Sequence, residues 1–163
     1  EVRMCALIIL TLKYPRSNKV EQDEIYNLYI SHIGKGINNW DLVDVSCPRI
    51  IGAYLYAKDR SMLYELAKGG LWQKRVSIIS TFYFLREGDI TDTLKLAELL
   101  VNEKHDLLQK AVGWALREMG KVDDVVLHSF LDTHAATMPR TMLRYSLEKL
   151  QKQKKEYYMA LGK

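Results

Sequence analysis

The stretch Gln73-Lys74-Arg75-Val76 recurs 36 residues later as Gln109-Lys110-Ala111-Val112. Val2-Arg3 matches Lys74-Arg75 at a distance of 72 residues, which is twice that step. A step of this length is typical of proteins built from stacked helical pairs, because each pair buries its apolar face only against its neighbours. This repeat spacing therefore predicts a short array of helical repeats with a long exposed face.

Apolar residues elsewhere in the chain also follow helical spacing. Near the start they fall on one helix face, at Val2, Cys5, Ala6, Ile9 and Leu10. No segment alternates with a period of two, and no Asn-Gly or Asp-Gly hairpin signal occurs. The sequence predicts an all-α fold, a right-handed solenoid of HEAT-like pairs, because the Trp, Gly, Tyr and Pro consensus of tetratricopeptide repeats is absent. A plain helical bundle is the alternative.

Glycine, proline and capping residues give the expected helix boundaries. We predict helices over residues 1–12, 20–33, 61–67, 71–85, 91–102, 106–119, 122–134 and 137–160. A further helix begins near Asn39, and Pro48, about ten residues in, would ordinarily break it but could instead mark a kink. Thr91 is the expected cap of its helix, and Gly120 is expected to end the helix that begins at Asp106.

Composition narrows the class of protein. The 163 residues are 48% hydrophobic and 27% charged, as in an ordinary globular domain, and the net charge of +4 is compatible with a polyanionic partner. Cys5 and Cys47 are the only cysteines, and neither they nor the scattered histidines have the spacing of a zinc site or a disulfide framework. No apolar run reaches the ~18 residues of a membrane span. We therefore expect no metal, no cofactor and no membrane partner.

The stretch Asn38-Asn39-Trp40-Asp41-Leu42-Val43-Asp44 places an indole and a carboxylate four residues apart. On a helix these two side chains lie on one face, about one turn apart. A single Trp at helical spacing is more often a core residue, and an Asp after a loop is more often a cap or a solvated charge. Residues elsewhere in the chain, however, favour a functional role for Trp40 and Asp44.

Trp40, Arg75 and Trp114 follow one another at spacings of 35 and 39 residues, about one repeat each. Their side chains could therefore stand side by side along a basic concave groove. Arg117 lies three residues after Trp114, while Lys74 and Lys110 occupy matching positions in their own repeats. Two steps of 36 residues back from Trp114 reach Leu42 and not Trp40. The spacing therefore indicates that these side chains lie near one another and leaves their geometry open.

Three blocks carry a resemblance to a known family. They are Asn39-Trp40-Asp41-Leu42-Val43-Asp44, Leu71-Trp72-Gln73-Lys74-Arg75, and residues 109–118, which read Gln-Lys-Ala-Val-Gly-Trp-Ala-Leu-Arg-Glu. The chain is similar to the DNA alkylation repair glycosylases of the AlkD type, which are HEAT-like solenoids. Members of that family excise N3- and N7-alkylated purines that carry a formal positive charge.

The resemblance implies roles for individual residues. Asp44 would be the catalytic carboxylate, and Trp40 and Trp114 would be the aromatic walls beside the lesion. Arg75 and Arg117 would be the DNA contacts. The repeat spacing, and not the resemblance, adds Lys74 and Lys110 to them as candidate phosphate contacts. The residue types suit the chemistry, because a carboxylate stabilises the positive charge that builds on the sugar as the base leaves. Indole faces attract cationic groups by ~0.5–2 kcal/mol each.

The resemblance also implies a partner, an oligomeric state and a cellular location. The partner would be double-stranded DNA containing alkylated bases, the protein would act as a monomer in the bacterial cytoplasm near the nucleoid, and no base-flipping pocket would be needed. We expect residues 1–163 to form one HEAT-like domain that lacks the family's N-terminal repeat, because the chain begins inside a helical pattern. The alternative function is a non-catalytic HEAT-like module that binds protein or DNA.

Overall fold

All regular structure in residues 1–161, the part of the chain that the computed structural model describes, is helical apart from one isolated parallel bridge between Ile33 and Ile37. The α-helices are α1 Val2–Lys13, α2 Lys19–His32, α3 Trp40–Cys47, α4 Ala53–Leu55, α5 Ser61–Ala67, α6 Leu71–Ser80, α7 Phe82–Arg86, α8 Thr91–Leu100, α9 Asp106–Val122, α10 Asp124–His134, α11 Arg140–Ser146 and α12 Lys152–Leu161. The prediction of an all-α fold is confirmed.

The helices pack in two rows. Helices α1, α3, α6, α9 and α11 contact one another in that order, and we call them the front row. The remaining long helices pack behind it, with α2 against the turn that follows α3, α5 against α6, and both α8 and α10 against α9. Helices that are close in sequence are therefore also neighbours in space.

Local sequence explains how α3 begins and which way it faces. The side-chain oxygen of Asn39 accepts a hydrogen bond from the backbone N–H of Trp40 at 2.9 Å, which caps the helix start. Val43 and Cys47 are fully buried, while Trp40 and Asp44 lie on the more exposed side. The hydroxyl groups of Tyr29 and Ser46, 2.8 Å apart, tie this helix to α2.

Pro48 does mark an irregularity, as expected from the sequence. Because proline has no N–H to donate to the carbonyl four residues earlier, the regular hydrogen-bonding pattern stops there. The chain continues through a π-helical turn, Pro48–Gly52, before α4. Within this turn only Arg49 is exposed.

Several predicted boundaries were wrong, and packing explains them. The helix predicted over 71–85 breaks at Thr81, whose hydroxyl donates to the carbonyl of Ile78 at 2.7 Å and competes with the backbone pattern. Helix α9 runs through Gly120 to Val122, and a Cβ on Gly120 would lie 2.3 Å from a methyl group of Leu127. That glycine therefore permits close packing of α10 and does not end the helix.

The N-terminus of α8 differs from the prediction as well. Thr91 is the first helical residue and not the cap, and its N–H donates instead to the carboxylate of Asp89 at 3.0 Å.

The helix predicted over 137–160 is divided in two. Helix α11 ends at Ser146, and α12 begins at Lys152. The intervening turn lets α12 lie against α10, where the Tyr158 hydroxyl donates to Asp132 at 2.8 Å and lies 3.0 Å from Nδ1 of His128. Residues 147–151 contain neither glycine nor proline, so tertiary burial of Tyr158 overrides the local tendency to continue the helix.

Gly113 allows the front row to close near its C-terminal end. A Cβ at this position would lie 2.5 Å from the carbonyl oxygen of Met142 and 2.6 Å from Cβ of Tyr145. Helices α9 and α11 therefore cross with their backbones in contact, and this crossing determines where Tyr145 stands.

We predict that Gly113→Ala destabilises the protein by about 2 kcal/mol. Overpacking against backbone costs about 1–3 kcal/mol, and the higher helix propensity of Ala returns at most about 1 kcal/mol. Urea denaturation measures the change. Gly36→Ala is the control, because its added Cβ meets only the ring and Cβ of His32, no closer than 3.5 Å. Equal stability of the two variants would contradict the close crossing.

Candidate active site

One cleft collects side chains from four helices of the front row. Its volume is about 410 Å³. The lining residues are Trp40 and Asp44 from α3, Arg75 from α6, Leu107, Lys110 and Trp114 from α9, and Tyr145 from α11. The cleft thus joins an ionisable pair, two indoles, a phenol and an ammonium group.

The carboxylate of Asp44 is held by Arg75 through two parallel hydrogen bonds. Nε of Arg75 donates to Oδ1 at 2.8 Å, and Nη2 donates to Oδ2 at 2.7 Å. The remaining guanidinium nitrogen, Nη1, donates to the carbonyl oxygen of Leu107 at the start of α9. Arg75 therefore fixes the plane of the carboxylate and links α3, α6 and α9.

This pair is largely removed from solvent, with side-chain exposures of 5% for Arg75 and 12% for Asp44. Burial raises the pKa of Asp44, while the hydrogen bonds and charge of Arg75 oppose that rise. Each carboxylate oxygen keeps a lone pair beyond the one that Arg75 uses. Asp44 can therefore still accept a hydrogen bond from a molecule in the cleft.

The two indoles have different surroundings. Trp40 is 52% exposed at the start of α3. Trp114 is half-buried, its ring packs edge-on against Phe82 at a centroid distance of 4.6 Å, and its Nε1 donates to Glu118 at 3.2 Å. Trp114 is thus a fixed wall, and Trp40 is the accessible one.

The cations expected to contact DNA are placed differently from one another. Lys110 lines the cleft and pairs with Asp106 at 2.6 Å, and this carboxylate raises the pKa of Lys110. Lys74 is paired with Glu103 and does not line the cleft. Arg117 is also outside the cleft, paired with Glu118 at 3.2 Å and with Glu148.

Arg75 occupies a position that differs from a surface DNA contact. Its guanidinium is buried, and each of its three nitrogens already donates a hydrogen bond to Asp44 or Leu107. In this arrangement it acts on the cleft through the carboxylate that it orients.

Sequence reasoning missed Tyr145 and Leu107. Tyr145 nevertheless had a signal, because Trp40, Arg75, Lys110 and Tyr145 follow one another at steps of 35 residues. Extending the repeat step once more along the chain would have found the fourth member. Leu107 contributes a backbone carbonyl, for which side-chain patterns give no signal.

Other features of the described residues offer less chemistry. A depression of about 180 Å³ between α1 and α2 is lined mainly by apolar side chains and contains no carboxylate or indole. Within residues 1–161 no group of His, Cys, Asp or Glu side chains is arranged to hold a metal ion. Over the same residues, no helix has the length and apolar character needed to cross a bilayer.

Comparison with known proteins identifies the class. Residues 1–150 match the family described as DNA alkylation repair enzyme. Because the match covers most of the chain, this protein belongs to that family, and the resemblance drawn from its sequence is confirmed. Family membership implies a role in DNA alkylation repair with DNA as the substrate. Neither a curated protein nor a solved structure gave a significant match.

We predict that Arg75→Met raises the pKa of Asp44 further, because burial of the carboxylate would then be unopposed. A ¹³C NMR titration of the Asp44 carboxyl group measures the shift. A folded-state pKa above the unfolded value means that the free energy of unfolding falls as pH rises between the two values. In Arg75→Met the free energy of unfolding should therefore continue to fall up to a higher pH.

The double variant Asp44→Asn/Arg75→Met is the control for that titration. It lacks the carboxyl group, so its stability should not show the extended fall. An Asp44 pKa that stays unchanged or decreases in Arg75→Met would contradict the role assigned to the ion pair.

Proposed function

We propose that this chain is a DNA glycosylase that releases positively charged N3- and N7-alkylated purines from duplex DNA, as a monomer and without a metal or cofactor. The observation that carries the proposal is the position of Asp44, a carboxylate held in a fixed plane within the same cleft as Trp40 and Trp114. The family assignment supports a role in alkylation repair.

The reaction needs little acid catalysis. When the bond between C1′ and the purine nitrogen breaks, its electron pair stays with the base and neutralises the positive charge of the alkylated purine. Positive charge then develops on the sugar, shared between C1′ and the ring oxygen. Asp44 stabilises this charge electrostatically, and it accepts a proton from the water that attacks C1′.

Arg75 acts as a positioning residue in this scheme. A carboxylate with free rotation would have to reorient as charge develops, whereas the two hydrogen bonds from Arg75 hold Asp44 in one orientation. Because burial raises the pKa of Asp44, excision should decline in acid above the pH at which an ordinary aspartate protonates. The ionised form is the active one.

The indoles give preference for charged bases. A cationic purine beside the face of Trp40 or Trp114 gains ~0.5–2 kcal/mol per ring, and a neutral base does not. Trp40 is accessible from the surface, which suits recognition without complete rotation of the nucleotide into a deep pocket.

Phosphate contacts complete the proposed DNA complex. Lys110, which lines the cleft, would bind a phosphate on the strand that carries the lesion in place of its partner Asp106. Lys74 and Arg117 would contribute only where phosphate replaces the carboxylates of Glu103 and Glu148. The frame for these contacts is a HEAT-like solenoid, an arrangement supported by the order of contacts along the front row.

A non-catalytic binding module for DNA or protein is the competing function. The same Asp44–Arg75 pair favours it in one respect, since a buried ion pair also serves as a structural link between helices. Release of free base from methylated duplex DNA separates the two functions.

We predict that Asp44→Asn slows single-turnover excision from methylated duplex DNA by about 10²–10³-fold, the usual loss when one preorganised stabilising group is removed. Binding to duplex DNA should stay close to normal. Quantification of released base measures the rate, and thermal unfolding together with DNA binding shows that the variant is folded.

Asp41→Asn is the matched control for that substitution. Asp41 lies in the same helix, outside the cleft, and its side chain bonds only the adjacent N–H of Leu42 at 2.7 Å. The control should excise at the original rate. Full activity in Asp44→Asn, or an equal loss in both variants, would exclude Asp44 as the catalytic carboxylate.

We predict that Trp40→Leu weakens binding to duplex DNA that carries a cationic alkylated base by about 2- to 30-fold, which is the ~0.5–2 kcal/mol of one cation–π contact expressed as a ratio of dissociation constants. Binding to unmodified duplex should not change, because an exposed indole supports little of the core. Trp40→Phe keeps a weaker aromatic face and should lie between the two. A variant series without this order would remove Trp40 from base recognition.

A further inference from the structure

Two exposed arginines without a partner lie outside the candidate active site. Arg49 and Arg86 are exposed, and neither makes a hydrogen bond or an ion pair within residues 1–161. This contrasts with Lys74, Arg75 and Arg117, each of which is paired with a carboxylate. Positive charge is therefore also available to a polyanion at a second position on the protein.

Arg49 and Arg86 follow the repeat of the fold. They are 37 residues apart, and Lys121 follows 35 residues after Arg86. We call these three residues the basic rim. Arg49 lies in the π-helical turn after α3, Arg86 ends α7, and Lys121 lies near the end of α9. The rim thus follows the ends of successive units.

Two shared depressions show that the rim is continuous. One, of about 400 Å³, is lined by both Arg49 and Arg86 together with Tyr14 and Tyr83. The other, of about 320 Å³, is lined by Arg86 and Lys121 together with Trp114. Trp114 also lines the candidate active site, so the rim borders the cleft.

The depressions contain further groups suited to a phosphate. Burial raises the pKa of Tyr14 to about 12, so its hydroxyl keeps its proton and can donate it in a hydrogen bond. That hydroxyl has no hydrogen-bond partner among the described residues. Lys121 is paired with Glu118 at 2.5 Å, which leaves the two arginines as the free cations of the rim.

The distance from cleft to rim fits a duplex. Trp40 and Arg49 are nine residues apart on a nearly continuous helical rod, which is roughly 13 Å at about 1.5 Å per residue. The major groove of DNA separates its two backbones by about 12 Å. This rise is a minimum for the separation of the two side chains, so the cleft and the rim lie at least one groove width apart, as contacts to two different strands require.

Resting on the proposed function for the identity of the ligand, we propose that Arg49 and Arg86 bind phosphates of the undamaged strand, opposite the strand whose base is processed at Asp44. The rim then makes the protein selective for duplex over single-stranded DNA. Arg49 and Arg86 contribute affinity and orientation and do not contact the reacting atoms.

The test compares the double variant Arg49→Gln/Arg86→Gln with a matched control, Lys19→Gln/Lys95→Gln. The control removes the same charge from exposed positions on the back helices α2 and α8. Fluorescence anisotropy measures binding to a short unmodified duplex and to one of its strands alone, over a series of KCl concentrations. Circular dichroism and thermal unfolding confirm that both variants fold.

We expect the arginine variant to bind the duplex more weakly and with a salt slope that is shallower by about 1.8, at about 0.9 for each phosphate that is no longer neutralised. Its affinity for the single strand should remain unchanged, and the control should match the original protein on both ligands. Equal losses of affinity on duplex and single strand would place the arginines on the processed strand and overturn the proposal. An unchanged duplex slope, or an equal loss of affinity in the control, would overturn it as well.

Excision is measured separately on methylated duplex at saturating protein, where the rate of base release should be unchanged in the arginine variant. Because the binding arm uses unmodified DNA, its outcome does not depend on catalysis. A chain that releases no base but loses duplex affinity selectively would refute the glycosylase proposal and retain the second-strand contact.

Discussion

The arrangement of the cleft depends on how a buried carboxylate is accommodated. Asp44 is mostly removed from water, and an isolated carboxylate in that position would be costly or would take up a proton. Arg75 satisfies both oxygens and uses its last nitrogen on the carbonyl of Leu107. One guanidinium thereby sets the relative positions of three front-row helices. Removing either partner from such a pair typically costs about 3–5 kcal/mol, so the two residues act as one unit.

Similar links between helices occur elsewhere in the protein. Ion pairs link residues about 30 positions apart: Asp23 with Lys58, Arg60 with Asp92, Lys74 with Glu103, and Arg117 with Glu148. Each joins one helical unit to a neighbouring one. Part of the basic charge of the sequence therefore neutralises carboxylates of the protein itself and is not available to a polyanion.

The sequence predicted the kind and order of most helices, because apolar periodicity reports burial directly. It failed where a contact from another part of the chain decides the outcome. Gly120 was expected to end a helix. It is instead needed because the side chain of Leu127 occupies the space where a Cβ would lie, and a local sequence pattern carries no signal of that contact. The break after Ser146 depends on the docking of Tyr158 in the same way. For the cleft, repeat spacing indicated Trp40, Arg75 and Trp114, while the carboxylate partners of Lys74 and Arg117 could be found only from coordinates.

The cleft is lined by one side chain from each of four positions that are spaced 35 residues apart, Trp40, Arg75, Lys110 and Tyr145. Arrays of stacked helical units tolerate changes in unit number because each unit packs only on its neighbours. In the HEAT-like arrangement proposed above, deleting one internal unit would leave a shorter array with a sound core, but the carboxylate and the second indole would no longer meet. The proposed chemistry would therefore constrain the number of units between α3 and α11, whereas additions beyond either end would leave the cleft intact.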